Sequence, residues 1–302
     1  MVCVYLDFKK INKNIKVLTR KLKHFVIVTK CLKLNDQILN SIDLGDRYVY
    51  DTSLENLKLL KRKKINLLYE FKHFKVLKGK NDRIIVSTLS EIYEVLKTDI
   101  KQIYLNFDFG DKRDGLNIKD IKKILEILVS DKKTRYYSIM SNIGCFCNTP
   151  PDKTYFEKFL KIKKLISISG IEVAMCSVGG SNCIPSTLGG GVKISNYELR
   201  IGEAIFLGSI PYSDFNFGLQ GGTSFLVTNF RRTSSIISDV GYNLISKESL
   251  NNVKILRQSS ENTAISLNFS NFCVDNKLYL PLSYHGLSRI SKLRHLKYIT
   301  SG

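Results

Sequence analysis

Eight short apolar runs recur along the first two-thirds of this chain, at 25–30, 47–52, 65–71, 83–88, 102–109, 135–141, 172–177 and 199–207. Helical patterns stand between several of them, at 36–42, 54–63, 90–96, 118–129 and 155–168. The first run, Phe25-Val26-Ile27-Val28, reads as a short strand buried on both faces. Asn117 and Ser90 are suitable N-caps for two of the helices. Eight strands alternating with helices predict a (β/α)8 barrel, the TIM-barrel class, whose active site lies at the C-terminal ends of the strands. Only the links after the third and seventh runs are poor helices. Ahead of the barrel, 2–8 read as a strand and 9–23 as a basic helix with Ile11, Ile15, Leu18 and Leu22 on one face.

From about residue 209 the texture changes. Gly-rich turns such as 219–222 separate short alternating runs at 224–229, 235–240, 253–256, 264–268 and 277–282, which predict a small all-β domain. A chain of 302 residues has room for both units. The expected division is a barrel over 1–208 and a β domain over 209–302, with residues 1–8 free to pair with the second.

The net charge of +20 is unusual and by itself points to nucleic acid, anionic lipid or an anionic ligand. The lysines, however, are spread along the whole chain, and clusters such as Lys61-Arg62-Lys63-Lys64 fall where helices end and suit the helix dipole. Solvated faces are therefore favoured over a polyanion surface. Seven cysteines without CxxC pairs, far in sequence from the four histidines, signal neither a zinc site nor a disulfide framework. The segment MVCVYLDFKK carries no signal-peptide core, and no apolar stretch approaches bilayer length. A soluble, cytoplasmic protein with reduced thiols is expected.

Candidate site residues fall at the predicted strand ends. Lys30 closes the first, where partial desolvation would lower an amine's pKa enough for it to condense with a carbonyl, although a solvated lysine past a strand is the plainer reading. After the fifth, 108–115 is either a turn or a means of aiming Arg113 into the barrel mouth. The sixth is followed by the charge-poor loop 141–150, suited to a ligand wall. After the seventh, Gly179, Gly180, Ser181 and Asn182 could cradle a phosphate with backbone N–H groups. On the eighth, Arg200 and Gly202 place a fixed cation beside a backbone that a phosphate can approach.

Taken together these segments resemble the fold-type III pyridoxal phosphate (PLP) enzymes, the alanine racemase superfamily, and within it the ornithine racemase-like branch. VTKCLKLNDQIL and YDTSLENLKLLK look like that branch's lysine segment and its D-S-R-x-E-N-L pattern. FDFGDKRDG resembles D-x-G-D-x-R-E-G, SNIGCFCNTPPD resembles N-x-x-C-F-x-x-x-P, and NYELRIGEAIFLG resembles L-R-I-G-E-A-I-L-L-G. VGGSN is similar to S-G-G-N-S with two residues exchanged, and QSSEN to G-x-S-S-D-H without the histidine. The matches run in one register from about residue 5 to 208 and thin from 209.

The resemblance implies a PLP-dependent amino-acid racemase, a homodimer acting on ornithine or another basic amino acid. Lys30 would hold PLP and act as one acid/base, Arg113 would contact the phenolic oxygen, and Arg200 would face the pyridine nitrogen. Ser181 or Asn182, with the backbone of Gly202 and Glu203, would bind the phosphate. Gly179, Gly180, Asn142 and Tyr298 complete the expected cofactor contacts, and Asp111, Asp114 or Glu261 would pair with a distal ammonium. Racemisation also needs an acid/base opposite Lys30. Tyr242, in the pattern Val240-Gly241-Tyr242, would reach across a dimer, with Cys145 as its rival. Two other readings are a non-catalytic PLP carrier, which the residues beyond 208 argue against, and a degenerate basic barrel on nucleic acid.

Overall fold

The computed structural model describes residues 2–77, 81–144, 149–190, 194–293 and 297–300. The chain opens with β1 (Cys3–Leu6) and a helix, Phe8–Lys21, that fixes the first packing surface. Asp7 caps that helix by accepting from Lys10 N, Ile11, Ile15 and Leu18 recur on one buried stripe, and Arg20 and Lys21 close the last turn where cations suit the dipole. Asn14, buried on the same stripe, donates to Ile205 O and Gln220 O and accepts from Gln220 N, which ties the helix to the segment leaving the barrel.

Eight parallel strands then close a barrel: β2 (Phe25–Val28), β3 (Val49–Tyr50), β4 (Leu67–Glu70), β5 (Arg83–Val86), β6 (Gln102–Asn106), β7 (Tyr136–Met140), β8 (Val173–Ser177) and β9 (Tyr197–Ile201). Phe25 pairs with Leu199 to complete the ring. Alternate side chains point inward, and Val26, Leu68, Ile85, Tyr104 and Met140 fill the interior, with Tyr48 and Tyr50 against them. Outside, helices such as Leu54–Arg62, Ile121–Ser130 and Lys153–Ile168 bury their apolar faces in a second, larger cluster. Among the described residues the α-helices after β4 and β8 are short, Phe74–Leu77 and Ile184–Leu188, each following a 3-10 turn, as the weak patterns there imply.

The expected run 199–207 is corrected. The strand stops at Ile201, and a helical turn, Glu203–Phe206, follows. The uninterrupted apolar stretch hides the change, which occurs at Gly202 with φ −123° and ψ −62°.

Seven further strands follow: β10 (Ser224–Arg232), β11 (Ile236–Ser238), β12 (Ile255–Gln258), β13 (Thr263–Ile265), β14 (Cys273–Val274), β15 (Lys277–Pro281) and β16 (Lys297–Thr300). They form one sheet ordered β12-β13-β11-β10-β1-β16, with β15 beside β10 and β14. β1 lies antiparallel to β10 and parallel to β16, so residues 3–6 belong to this sheet rather than to the barrel. The all-β expectation needs one amendment, a helix at Tyr284–Ile290 capped by Ser283. Among the described residues no helix is long and apolar enough to cross a membrane.

Candidate active site

Lys30 stands just beyond β2. Thr29 N still donates to Tyr50 O (3.0 Å), and the chain then turns, Leu32 N donating back to Thr29 O (2.8 Å). Lys30 sits in that turn and lines a cavity of about 760 Å³ at the C-terminal mouth of the barrel. The turn is anchored from behind. Thr29 Oγ1 donates to Asp51 Oδ2 (2.6 Å), and Asn56 Nδ2 donates to both Asp51 Oδ2 (2.9 Å) and Leu32 O (2.9 Å). Leu34 N donates to Asn56 Oδ1 (3.0 Å). Asp51 is fully buried, and burial pushes its carboxyl up despite these donors.

Arg200, only 6% exposed, reaches the same cavity from β9. Its Nη1 donates to Ser177 O (2.9 Å) and Oγ (2.7 Å), and its Nη2 to Ser141 O (2.6 Å) and Asn142 Oδ1 (3.4 Å). The ends of β7 and β8 therefore fix the guanidinium plane. Arg113 enters from the loop after β6, and its Nε donates to Asp114 Oδ1 (2.6 Å).

Between Lys30 and Arg200 lies a cradle for an anion. Gly180 leads into a 3-10 turn over Ser181–Cys183, and Ser181 Oγ accepts from Ala204 N (3.2 Å), joining this loop to the start of the Glu203–Phe206 turn. A Cβ at Gly202 would stand 2.5 Å from Tyr284 Oη and 3.0 Å from Val28 O, so only glycine admits this approach. Tyr284 comes from the helix of the C-terminal sheet and lines the cavity with His285. A fixed guanidinium, an amine, backbone N–H groups, a serine and a tyrosine suit a flat ring bearing a phosphate and a carbonyl.

A polar pair occupies the wall on the other side of Lys30. Tyr50 Oη donates to Glu70 Oε1 (2.7 Å), and Glu70 Oε2 pairs with Lys72. Burial first, then the neighbouring carboxylate, pushes the Tyr50 phenol far above its ordinary value and keeps it a donor. Burial also opposes charge on Glu70, but the hydrogen bonds from Lys72 and Tyr50 outweigh it and hold the carboxyl below its usual range.

The residues expected from sequence divide into groups. Lys30, Arg113, Asp114, Asn142, Gly180, Ser181, Asn182, Arg200, Gly202 and Glu203 all line the one cavity. Gly179 does not; it shapes the turn, with φ +129°. Asp111 is buried behind Asn142, which donates to it at 3.5 Å. Tyr298 is also displaced from expectation: its hydroxyl accepts from Lys33 N (3.2 Å) and donates to Ser291 O (3.4 Å), and burial pushes it up to about 12. Tyr242 and Glu261 lie outside the cavity but close to each other, because the Gly241–Tyr242 turn packs on the 259–262 turn, Tyr242 N donating to Ser259 O (2.9 Å). Cys145 lies outside the described residues. Tyr50, Glu70, Lys72, Tyr212, Tyr284 and His285 line the cavity without having been singled out. The inward alternation along β3 and β4 was the available signal for Tyr50 and Glu70.

A barrel with a lysine at its first strand end, an arginine on its last, and a sheet-rich unit closing over the mouth defines a recognisable class. The chain belongs to the family described by the alanine racemase N-terminal domain, whose model matches residues 6–209. Among curated proteins it is similar to the lysine racemase of Thermotoga maritima, 29% identical over 143 residues. That match covers 47% of this chain and 39% of the relative. The whole fold is similar to the biosynthetic alanine racemase of Pseudomonas aeruginosa, with a TM-score of 0.73 at 15% identity over 100% of this chain and 99% of that one. It is also similar to an alanine racemase of Bartonella henselae with covalently bound pyridoxal phosphate, with a TM-score of 0.71 at 14% identity over 99% of each chain.

Proposed function

We propose that this protein is a pyridoxal phosphate-dependent amino-acid racemase. The observation that carries the reading is the joint presence, around one cavity, of the Lys30 amine, the immobilised Arg200 guanidinium and the Gly180–Gly202 cradle. When bound, pyridoxal phosphate supplies an electron sink for the carbanion at the substrate's α-carbon. Lys30 holds the cofactor and moves the α-proton on its own face. Arg200 has no proton to give, and four hydrogen bonds keep it from swinging away, so it would leave the cofactor's ring nitrogen neutral and restrain side reactions. Ser181, with the backbone at Asn182 and Gly202 and the Tyr284 hydroxyl, would bind the phosphate, and Arg113 would meet the phenolic oxygen.

The second acid/base is Tyr242 of a partner subunit. In its own chain Tyr242 is 57% exposed and away from the cavity, and it shares its corner with Glu261, so one docked partner would deliver both. The favoured substrates are ornithine and lysine, supported by the likeness to the Thermotoga maritima enzyme and by the carboxylates on the cavity wall. The protein should purify yellow, and borohydride should fix the cofactor on Lys30, with Lys30→Ala losing the reducible absorbance. Label recovered on any other lysine sinks the reading.

A further inference from the structure

We propose that Glu70 is the carboxylate that receives a cationic group at the far end of the substrate's side chain, and that Lys72 occupies its place until substrate arrives. This role deepens the racemase reading and rests on it. Val28 pairs with Tyr50 and Tyr50 with Leu68, so the ends of β2 and β4 stand in one layer at the barrel mouth, with Lys30 in the turn just past the first and Glu70 closing the second. Two strand steps separate them, about 10 Å. A substrate α-carbon held beside the Lys30 amine needs an extended side chain of about 6 Å to bring a terminal nitrogen against Glu70. Three or four methylenes span that distance.

Among the described residues three acids line the cavity, and their partners separate them. Asp114 is engaged at both oxygens, by Arg113 Nε on Oδ1 and Asn106 Nδ2 on Oδ2. Burial pushes the Glu203 carboxyl up, and Ser209 Oγ donates to it. Of the three, Glu70 is anchored on one oxygen by a half-buried phenol and faces a lysine ammonium with the other. Lys72 is 58% exposed on a long flexible stem, and an ion pair of that kind is worth little in water. The ammonium of Lys72 is thus a stand-in for the substrate's own, displaced at small cost.

The test compares racemisation of L-lysine with that of L-2-aminoheptanoate, which carries a methyl group where lysine has its ammonium, using wild-type, Glu70→Gln and Lys72→Met holoenzymes. Gln keeps an oxygen for Tyr50, and a thermal melt with borohydride-trapped cofactor content checks that each variant is folded and loaded. Glu70→Gln should lower the lysine-to-aminoheptanoate ratio of kcat/KM by about 10²-fold. Lys72→Met should lower KM for lysine severalfold with kcat nearly constant, since only a competitor has gone. Calorimetric binding of lysine to the two variants should move in the same directions. Ratios within threefold of wild type in both variants overturn the role of Glu70 while leaving the racemase reading intact. A wild-type holoenzyme that racemises no amino acid overturns that reading, and this role with it.

Discussion

Gly202 decides how closely the two halves of the chain meet. Its missing side chain lets Tyr284 Oη and Val28 O both stand where a Cβ would otherwise be. Gly202→Ala must push the Tyr284 hydroxyl aside, and the expected outcome is about tenfold weaker cofactor binding, equivalent to about 1.4 kcal/mol. Absorbance titration of pyridoxal phosphate onto the apoprotein measures it; binding as tight as wild type would place Tyr284 away from the phosphate. Lys30 was legible because it closes a predicted strand, and Arg200 and Gly202 because an Arg-x-Gly at the start of the run 199–207 stands in register with the other loops. Tyr284 was not, because its helix of seven residues with Gly286 inside carries too weak a period to announce itself. Tyr298, in the apolar tail, holds the lysine segment from behind.

Single strands of this barrel serve different tasks at their two ends. β9 carries Arg200 toward the mouth and, two residues earlier, Glu198 toward the floor. There Glu198, 2% exposed, pairs with Arg83 at 2.8 Å, whose Nε donates to Gln102 Oε1 (3.1 Å) and whose guanidinium lies 3.6 Å from the Tyr48 ring centroid. Removing one partner of a buried pair strands the other, so Arg83→Met should destabilise the fold by about 3–5 kcal/mol. The double variant Arg83→Met with Glu198→Leu should recover most of that loss, because no uncompensated charge remains. Urea denaturation measures both, and a single variant no worse than the double would show that the pair is unimportant. The strands themselves were readable as apolar runs, but this floor was not. Three of its residues come from three strands and Tyr48 from just before a fourth, and only the closed ring shows that Arg83 and Glu198 face each other. The split of 199–207 into strand and helical turn was hidden for a local reason: hydrophobicity continues while the backbone changes at Gly202.

At the scale of the whole molecule, the proposed reading has a second chain complete the site. Lys30→Ala and Tyr242→Phe should each lose activity, the latter by about 10²-fold or more while keeping its cofactor. Mixed and allowed to exchange subunits, the two inactive proteins should regain about a quarter of wild-type activity, since half the dimers are mixed and one site in each is whole. No recovery, with exchange verified by mass, would place the second acid/base in the same chain as Lys30. The C-terminal sheet that presents Tyr242 also contains β1, made of residues 3–6, paired with 224–227 on one side and 297–300 on the other. A ribosome adding about 5–20 residues per second leaves that first strand without its partner for roughly ten to forty seconds. Throughout that time the barrel strands are being made behind it, and the ring can close only near the end, while an apolar strand, Cys3-Val4-Tyr5-Leu6, waits with both edges open. The vulnerable moment in the life of this protein is therefore its synthesis, and the segment that most needs cover is β1, made long before either of its partners.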